Sequence, residues 1–592
     1  MIGLESGLVV MGYRVVVASI ASRKALAIAR SLRAALGAEV VGASHRRHPF
    51  AYSRLFDRVV VLEGAARGGA EWGLAVLDVA EGVGGDVVVP VDFLDVLSLS
   101  RVKGRGRVAV IAPDYGQVVV ASSKAGLAEL LGESLVPASV VVGDGSGAGA
   151  VYRLRPPLVV KGLSDAASPE FFPDVEGAVE AAAARAPCLV QEYVPGRGRG
   201  YEAVAFEGEP LLEFTHERVV EYDPGGGASL GARGPVLDPR LYGVGRLALS
   251  RLRWTGPLMV EVKRVPAEER YFVVELNPKF WGSLDLPVSL GYHFPAVLVK
   301  AALEGVDSAR AFARGLRVGA GEFYWVLDGF RYAAKLPGTW LRMALRARRS
   351  DVSLSDPARV AAQLAVAVER LGAEREGWLR SLERDYAKLR RFYGRLVGAG
   401  RPLAILDFDG VIVKLRLDWG RAYRALEERG FRRPWESVTG TLRRLWREDR
   451  VRFEEASRLL QSLEERAPAE RLLGGGDLEG LELCVASMQP VSVLRKHLGG
   501  VRLYGRDSGY GPFKSEMFRA CVEELGWRGP VVVLDDDLYN CVTALRMGFY
   551  PVRVVGDAYR AVEALRVGIL PVGIEDLRGF LGLLRRLQAR PG

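Results

Sequence analysis

Short valine-rich runs alternate with helix-length segments over the first 115 residues of the chain. Apolar runs of four to eight residues are typical of buried strands, and a 3.6-residue period is typical of helices. The predicted strands are Arg14–Val17, Glu39–Gly42, Arg58–Leu62, Asp86–Val91 and Arg107–Ile111, and helices such as Lys24–Leu36 and Glu71–Ala80 lie between some of them. This order predicts an open, mostly parallel α/β sheet. No Gly-x-Gly-x-x-Gly follows the first strand, which disfavours a dinucleotide site.

The pattern then changes three times along the chain. Residues 116–310 combine strands, hairpins and a few helices, and residues 311–399 are polar and helical, as in Asp356–Leu371 and Glu374–Val397. After the break at Gly398-Ala399-Gly400, the apolar strand Pro402–Leu406 opens a second α/β unit, which we expect to fold on its own. The prediction is an α/β multidomain protein with domains at 1–115, 116–310, 311–399 and 400–592.

Composition narrows the class of protein. The chain has 592 residues, is 49% hydrophobic and carries a net charge of +10. Its arginines alternate with acids, which is typical of surface ion-pair networks and of a thermophilic source and disfavours nucleic-acid binding. No apolar run is long enough to span a membrane. Four scattered cysteines indicate neither a zinc site nor a disulfide framework, so we expect a cytoplasmic protein. The first strand follows a short extension, and the natural start is Met1 or Met11.

Two apolar strands near the middle of the chain end in oxygen-bearing side chains. Glu261 lies in Leu258–Val262, and Glu275 and Asn277 lie in Phe272–Pro278. Glu275 and Asn277 share a face because the side-chain period of a strand is two, and Glu261 can face them from the neighbouring strand of a hairpin. Two carboxylates and an amide oxygen are suited to Mg²⁺ carrying nucleotide phosphates. The alternative is a strand with exposed acids at its rim.

Two upstream segments add phosphate and base contacts. Lys161 ends an apolar strand and can act as a point charge on phosphate. The chain has only 12 lysines, so a lysine at the end of this strand is less easily explained by chance. The extended stretch Cys188–Gly196 can offer backbone groups to an adenine edge. With the hairpin, this order resembles the ATP-grasp superfamily over roughly residues 10–310, and the ending Glu-x-Asn-Pro-x-Phe-Trp-Gly-Ser most resembles carboligases of the carbamoyl-phosphate-synthase type.

The resemblance implies a role for each matching residue. It places Lys124 and Lys161 on phosphates, Gln191, Glu192 and Val194 at the adenine, and Glu261, Glu275 and Asn277 on Mg²⁺ or Mn²⁺. It also implies that ATP activates a small carboxylate to an acyl phosphate, which an amine or similar nucleophile then attacks. One departure is the segment Leu163–Pro169, where these enzymes usually have a Gly/Ser-rich loop. Either the lid closes differently or ATP binding is weakened.

The segment between the adenine stretch and the hairpin contains two further candidates. Arg218 is a candidate for the carboxylate or acyl phosphate, because guanidinium pairs with such groups in a bidentate way. His216 fits a structural or supporting role better than that of a catalytic base.

A second set of motifs lies beyond residue 400. Asp407 and Asp409 follow a buried strand, Ser487 ends another, Lys514 begins a helix, and Val531–Leu534 runs into Asp535-Asp536-Asp537. Parallel strands present their carboxyl ends at one edge of a sheet, where these groups would meet.

This order resembles the haloacid-dehalogenase (HAD) superfamily over about residues 400–592. The resemblance implies that Asp407 is a nucleophile forming an aspartyl phosphate, and that Asp409 is the general acid and then the base. It places Ser487 and Lys514 on the phosphoryl oxygens. Asp407, the backbone carbonyl of Asp409, and Asp535 or Asp536 would hold a second Mg²⁺. Residues 413–480 are expected to form a cap over the site, and the substrate would be a phosphorylated small molecule.

Two readings of the whole chain remain open. In the leading one, an ATP-dependent ligase is fused to a phosphatase. In the other, the chain is a phosphatase whose ATP-grasp half senses nucleotide or serves as a scaffold, a possibility that the unusual 163–169 segment favours.

Overall fold

The first domain is a parallel sheet covered by helices. A computed structural model describes residues 12–143, 146–164 and 169–589 of the chain, so the choice between Met1 and Met11 and residues 165–168 of the unusual segment lie outside the described residues. The elements are β1 (Arg14–Val17), α1 (Arg23–Leu36), β2 (Glu39–Ser44), β3 (Arg58–Val61), α2 (Ala70–Gly82), β4 (Val87–Val89), α3 (Phe93–Val102), β5 (Ala109–Val110) and α4 (Tyr115–Ser122). All pairs in the sheet, ordered β3-β2-β1-β4-β5, are parallel. The valine runs form these strands because both faces of the sheet are buried.

Two antiparallel sheets follow and together hold the first candidate site. The smaller comprises α5 (Leu127–Leu131), β6 (Ser139–Val142), β7 (Leu158–Lys161), β8 (Glu170–Phe172), α6 (Val175–Arg185) and β9 (Cys188–Glu192), with strand order β6-β9-β7-β8. The larger comprises β10 (Arg197–Phe206), β11 (Glu209–Asp223), β12 (Gly226–Gly234), α7 (Pro239–Leu252), β13 (Gly256–Val265), β14 (Arg270–Asn277), α8 (Asp285–Ser289), α9 (Phe294–Glu304), α10 (Val306–Gly315) and β15 (Gly321–Tyr324), ordered β14-β13-β10-β11-β12-β15.

The segment predicted as a helical linker differs from that prediction in two ways. Residues 321–324 form β15, which pairs with β12, so part of the segment completes the large sheet. The helices α11 (Pro337–Arg346) and α12 (Pro357–Gly398) follow, and α12 is one helix of 42 residues where the sequence predicted two. A glycine costs an exposed helix only about 1 kcal/mol, so Gly372 does not break it, and Glu374 just beyond pairs with Arg331 and Lys335.

The last domain contains a six-stranded parallel sheet. Its elements are β16 (Leu403–Leu406), β17 (Val413–Leu415), α13 (Trp419–Glu428), α14 (Val438–Glu448), α15 (Arg450–Glu464), β18 (Ala469–Arg471), α16 (Gly475–Leu478), β19 (Leu483–Ala486), α17 (Val491–Arg495), β20 (Arg502–Tyr504), α18 (Lys514–Glu524), β21 (Val531–Asp535), α19 (Leu538–Arg546), β22 (Tyr550–Val555), α20 (Ala558–Arg566), β23 (Leu570–Gly573) and α21 (Leu577–Gln588). The sheet order is β20-β19-β16-β21-β22-β23. Helices α13–α15 and the β17–β18 pair lie between β16 and β19 in the chain, where the cap was predicted.

The last domain is packed against the rest of the chain. Leu396 of α12 is buried within the core beneath the parallel sheet, while Ala362 of the same helix is buried in the core of the first domain. A separate apolar cluster joins Phe171 and Tyr193 to Val542 and Ile569 across the domain boundary. The core of the last domain therefore includes Leu396, just before the predicted boundary at residue 400, and independent folding of residues 400–592 stays a prediction. None of the helices in the described ranges is long and apolar enough to cross a membrane.

Candidate active sites

The β13–β14 hairpin brings the predicted metal ligands together. The two strands are antiparallel, with Glu261 opposite Glu275 and Met259 opposite Asn277. The Asn277 Nδ2 group donates a hydrogen bond to Glu275 Oε1 at 3.0 Å. The donor set of two carboxylates and an amide oxygen fits a hard divalent cation such as Mg²⁺ or Mn²⁺.

One cavity of about 400 Å³ lies between the two antiparallel sheets. All nine residues predicted for the first site line it: Lys124, Lys161, Gln191, Glu192, Val194, Arg218, Glu261, Glu275 and Asn277. The glycines of the β11–β12 turn, Gly225 to Gly227, form part of the same wall. Residues from seven separate segments therefore converge on one space that a nucleotide could occupy.

Four lysines of the described chain line this cavity, among them the two predicted phosphate ligands, Lys124 and Lys161. The Lys124 Nζ atom lies 3.3 Å from Glu275 Oε2, and the Lys161 ammonium donates to Gln191 Oε1 at 2.8 Å. Burial, assisted by the neighbouring charge of Lys124, lowers the pKa of Lys161 to about 8. Burial opposes ionisation of Glu275, but Lys124 and the Asn277 hydrogen bond outweigh it and lower the pKa of the carboxyl. Both lysines are thus placed where phosphate charge would complement them.

Arg218 sits beside the hairpin carboxylates. Its Nη2 atom lies 2.7 Å from Glu261 Oε2. Burial opposes its charge, yet Glu261 and Glu221 raise the pKa of Arg218, so the guanidinium stays charged. The nearby His216 is fully buried with Nδ1 2.9 Å from Glu202 Oε1, and it does not line the cavity. That environment fits a structural histidine.

The predicted adenine residues contribute differently from one another. The Glu192 carboxylate is bound by Arg155 at 3.1 Å and lies 3.7 Å from Arg546, so its side chain is engaged in ion pairs. The Gln191 Nε2 group is buried and has no hydrogen-bond partner within the part of the chain that the structure describes. Val194 lines the cavity through an apolar side chain. An adenine contact by Glu192 would therefore come from its backbone.

The second site forms where three parallel strands end. Strands β19, β16 and β21 are adjacent, so Ser487, Asp407 and Asp535 meet at their carboxyl ends. Asp407 Oδ1 accepts hydrogen bonds from Ser487 Oγ at 2.9 Å and from the Phe408 backbone N–H at 2.7 Å, and it lies 2.8 Å from Lys514 Nζ. Lys514 also donates to Asp535 at 3.0 Å. The predicted nucleophile and both predicted phosphoryl-binding side chains are in contact.

A cluster of carboxylates faces this edge. Oxygens of Asp407, Asp535 and Asp536 lie within 4.8 Å of one another, a donor set that fits Mg²⁺ or Mn²⁺. Burial raises the pKa of Asp407 and, together with Asp535, that of Asp536. Burial opposes the charge of Lys514, but Asp407 and Asp535 outweigh it and raise the pKa of this lysine. Three carboxylates beside one ammonium leave a surplus of negative charge that a divalent cation would balance.

Asp409 lines a cavity beside this cluster. Its Oδ1 accepts a hydrogen bond from the Leu415 backbone N–H at 2.8 Å, and burial raises its pKa. The adjoining Gly410 has φ of +81°, and a Cβ there would lie 2.6 Å from Asp536 Cγ. Glycine therefore allows the chain to turn directly after Asp409 and to pass close to Asp536.

Several residues of these sites were missed by the sequence reasoning, including Lys263 and Lys279, which line the first cavity. Asn540 donates to Asp535 Oδ1 at 3.1 Å, and its position in the turn of helix after Asp535 was a usable signal. Arg443 of the cap and Arg546 at the end of α19 reach the sites from distant segments. Nothing in the local sequence around either arginine distinguishes it from the many surface arginines.

Comparison with known proteins gives resemblance in structure alone. No protein-family model and no curated protein matches the sequence. Phosphoribosylglycinamide synthetase from Anaerococcus prevotii is 14% identical over 52% of this chain and 80% of its own, with a TM-score of 0.41. Biotin carboxylase from Campylobacter jejuni is 12% identical over 52% and 74%, with a TM-score of 0.40. L-amino acid ligase from Bacillus licheniformis is 14% identical over 49% and 74%, with a TM-score of 0.40. At such scores the function has to be argued from the side chains.

Proposed function

We propose that the protein is an enzyme with two active sites. The first is an ATP-dependent ligase of the ATP-grasp type, which activates a small carboxylate to an acyl phosphate for attack by an amine or similar nucleophile. The second is a phosphatase of the HAD type, which uses an aspartyl-phosphate intermediate. The observation that carries the proposal is that all nine residues expected for the ligase line one cavity, while the expected nucleophile of the phosphatase contacts both expected phosphate ligands and lies beside the expected metal carboxylates.

The role of the side chains in the ligase site is to hold the charged reactants in position. Lys124 and Lys161 would hold the ATP phosphates, and Glu261, Glu275 and Asn277 would hold Mg²⁺, which when bound neutralises the phosphate oxygens. Arg218 would orient the carboxylate so that one of its oxygens faces the terminal phosphorus of ATP. Holding both reactants in line lowers the entropic part of the barrier.

In the phosphatase site, two aspartates divide the chemistry. An Asp407 oxygen attacks the phosphorus of a monoester, while Lys514 and Ser487 hold the phosphoryl oxygens. Asp409 donates a proton to the leaving oxygen, and its raised pKa favours the protonated form needed at that moment. In the second step Asp409 takes a proton from water, which attacks the aspartyl phosphate and releases phosphate. Asp407, Asp535 and Asp536 would hold the Mg²⁺ of this site.

Paired single-site variants test the assignment. ADP formation is measured with a panel of carboxylates and hydroxylamine, which traps acyl phosphates as hydroxamates, and phosphatase activity is measured with p-nitrophenyl phosphate. We expect Glu275→Gln to abolish ADP formation and leave phosphatase activity intact, and Asp407→Asn to do the reverse. Hydroxamate formation that survives Glu275→Gln at the wild-type rate would disprove the ligase site. ATP binding without turnover, with any carboxylate, would instead favour a nucleotide-sensing module.

A further inference from the structure

A second cavity of about 650 Å³ lies between the two halves of the protein. Asp407, Asp409 and Asp536 of the phosphatase site line one side of it, and Arg218 and Glu221 of β11 line the other. We call this space the shared chamber. The phosphatase site thus opens toward the large antiparallel sheet that carries the ligase site.

Arg218 belongs to the walls of both cavities. It lines the ATP cavity beside Glu261 and also the shared chamber. Its Nε and Nη1 groups are buried and have no hydrogen-bond partner among the described residues, and the same holds for Glu221 Oε1, which lies 3.5 Å from Nη1. An unsatisfied buried guanidinium N–H costs free energy unless a ligand satisfies it. Glu261 and Glu221 offset the charge of Arg218, but these two N–H groups remain available to an anionic oxygen at the junction of the two cavities.

The cap contributes a second cation to the shared chamber. Arg443 of α14 is buried and donates to the backbone carbonyls of Pro512 and Ala267 and to the Tyr539 hydroxyl. Within the described ranges of the chain, no carboxylate forms an ion pair with it. The other four arginines that line the chamber each form an ion pair with a carboxylate: Arg197, Arg233, Arg553 and Arg560. Arg218 on the ligase wall and Arg443 on the cap wall can each contact one anionic group of a small molecule.

We propose that one molecule, a phosphate monoester that also bears a carboxylate, is the substrate of both active sites and is processed within the shared chamber. The inference rests on the proposed function and names its substrate class. The carboxylate would be activated beside Arg218, and the monoester phosphate would be removed at Asp407. A volume of about 650 Å³ accommodates a molecule the size of a phosphorylated sugar acid.

In both reactions each bond that forms is matched by a bond that breaks. A carboxylate oxygen bonds to the terminal phosphorus of ATP as ADP leaves, and the nucleophile then displaces phosphate from the acyl carbon and loses a proton. Asp407 next bonds to the ester phosphorus as the ester O–P bond breaks, and Asp409 protonates the leaving hydroxyl. Water cleaves the aspartyl phosphate and gives its proton to Asp409. The products are ADP, two phosphates and an amide-type product that carries a free hydroxyl.

Matched acceptors test the substrate class. The probes are O-phosphoserine, 3-phosphoglycerate and 6-phosphogluconate, each compared with its dephosphorylated form, with ATP, Mg²⁺ and hydroxylamine. In the Asp407→Asn protein we expect at least one phosphorylated acid to support ADP formation. Its KM should be at least ten-fold lower than the KM of its dephosphorylated form. The hydroxamate should keep its phosphate in Asp407→Asn and lack it in the wild type.

The outcomes separate this inference from the proposed function. If dephosphorylated acids are preferred, or the wild-type hydroxamate keeps its phosphate, the shared substrate is disproved while the ligase stands. If no acceptor supports ADP formation in either protein, the proposed ligase function fails, and the inference fails with it.

Isotope dilution tests processing inside the chamber. Labelled acid is converted by the wild-type enzyme in the presence of excess unlabelled phosphorylated hydroxamate, prepared with Asp407→Asn. Retention predicts that little labelled phosphorylated hydroxamate accumulates, because it is hydrolysed before it leaves. Accumulation in proportion to the unlabelled pool would disprove transfer within the chamber.

Discussion

Arg546 donates a hydrogen bond from Nη2 to the backbone carbonyl oxygen of Tyr193 at 2.8 Å. Tyr193 lies between Glu192 and Val194, which line the cavity proposed to bind ATP. Arg546 ends α19, and that helix begins directly after Asp535-Asp536-Asp537 of the proposed phosphatase site. A helix of nine residues, about 13 Å long, therefore connects the acidic cluster of one site with the adenine side of the other.

Removing this contact should weaken ATP binding. We expect Arg546→Met to raise the Kd for ATP about five- to ten-fold, because a charge-assisted hydrogen bond contributes on the order of 1.5–3 kcal/mol and part of that loss would be absorbed by relaxation. Isothermal titration calorimetry measures the Kd. Arg566→Met, on the neighbouring helix α20, serves as a control that removes an arginine of the same domain without touching Tyr193. An unchanged Kd in Arg546→Met would show that the adenine segment does not depend on this contact.

ATP binding should depend on the ionisation of Lys161. With a pKa of about 8, its ammonium is lost as the pH rises through 8, whereas bound phosphate would favour the charged form and raise the pKa. ATP affinity is therefore expected to be greatest below pH 8 and to fall above it, with up to one proton taken up on binding at pH 8.5. Calorimetry in two buffers of different ionisation enthalpy measures that uptake. Lys161→Arg should bind ATP without it, because the guanidinium stays charged.

Asp407 and Asp409 should fail in different ways when changed to asparagine. Asp407→Asn should abolish phosphatase turnover, because an amide is a poor nucleophile. Asp409→Asn keeps the nucleophile and loses the acid/base, for a loss on the order of 10²–10⁴-fold and a longer-lived aspartyl phosphate. Quenched-flow assays and trapping with BeF₃⁻, which should label Asp407 alone, distinguish the two. Full phosphatase activity in both variants would show that this site is not catalytic.

The end of α12 should stabilise the last domain. Leu396 is 7% exposed within that domain's core, whereas the next residue, Val397, is 53% exposed. We expect Leu396→Ala to lower the free energy of unfolding by about 2–5 kcal/mol, and Val397→Ala to change it by less than about 0.5 kcal/mol. Denaturant unfolding of the full chain measures both. A fragment of residues 400–592 should accordingly be less stable than one of residues 385–592, and equal stability would restore the boundary at residue 400.

The local sequence predicted those strands whose burial is determined by the residues of the strand itself. The valine runs of the first domain form the predicted strands, because burial on both faces requires continuous apolar residues. The polar residues that end strands also converge as expected, because strand order and period place them at one edge. The strand at 321–324 and the continuity of α12 were not predictable, because each depends on partners distant in the chain. The roles of Arg443 and Arg546 depend on domain packing and leave no local pattern.

The single helix α12 also constrains how the chain can vary in length. Its residues Ala362 and Leu396 are anchored in different domains and are separated by about 51 Å of helix. Inserting one residue between them would rotate one anchor relative to the other by about 100°, and inserting two full turns would restore the rotation but lengthen the helix by about 10 Å. We expect either change to displace the last domain relative to the first and to disturb the contact between Arg546 and Tyr193. Deletions and insertions should therefore be tolerated in the surface loops of this protein and excluded from the middle of α12.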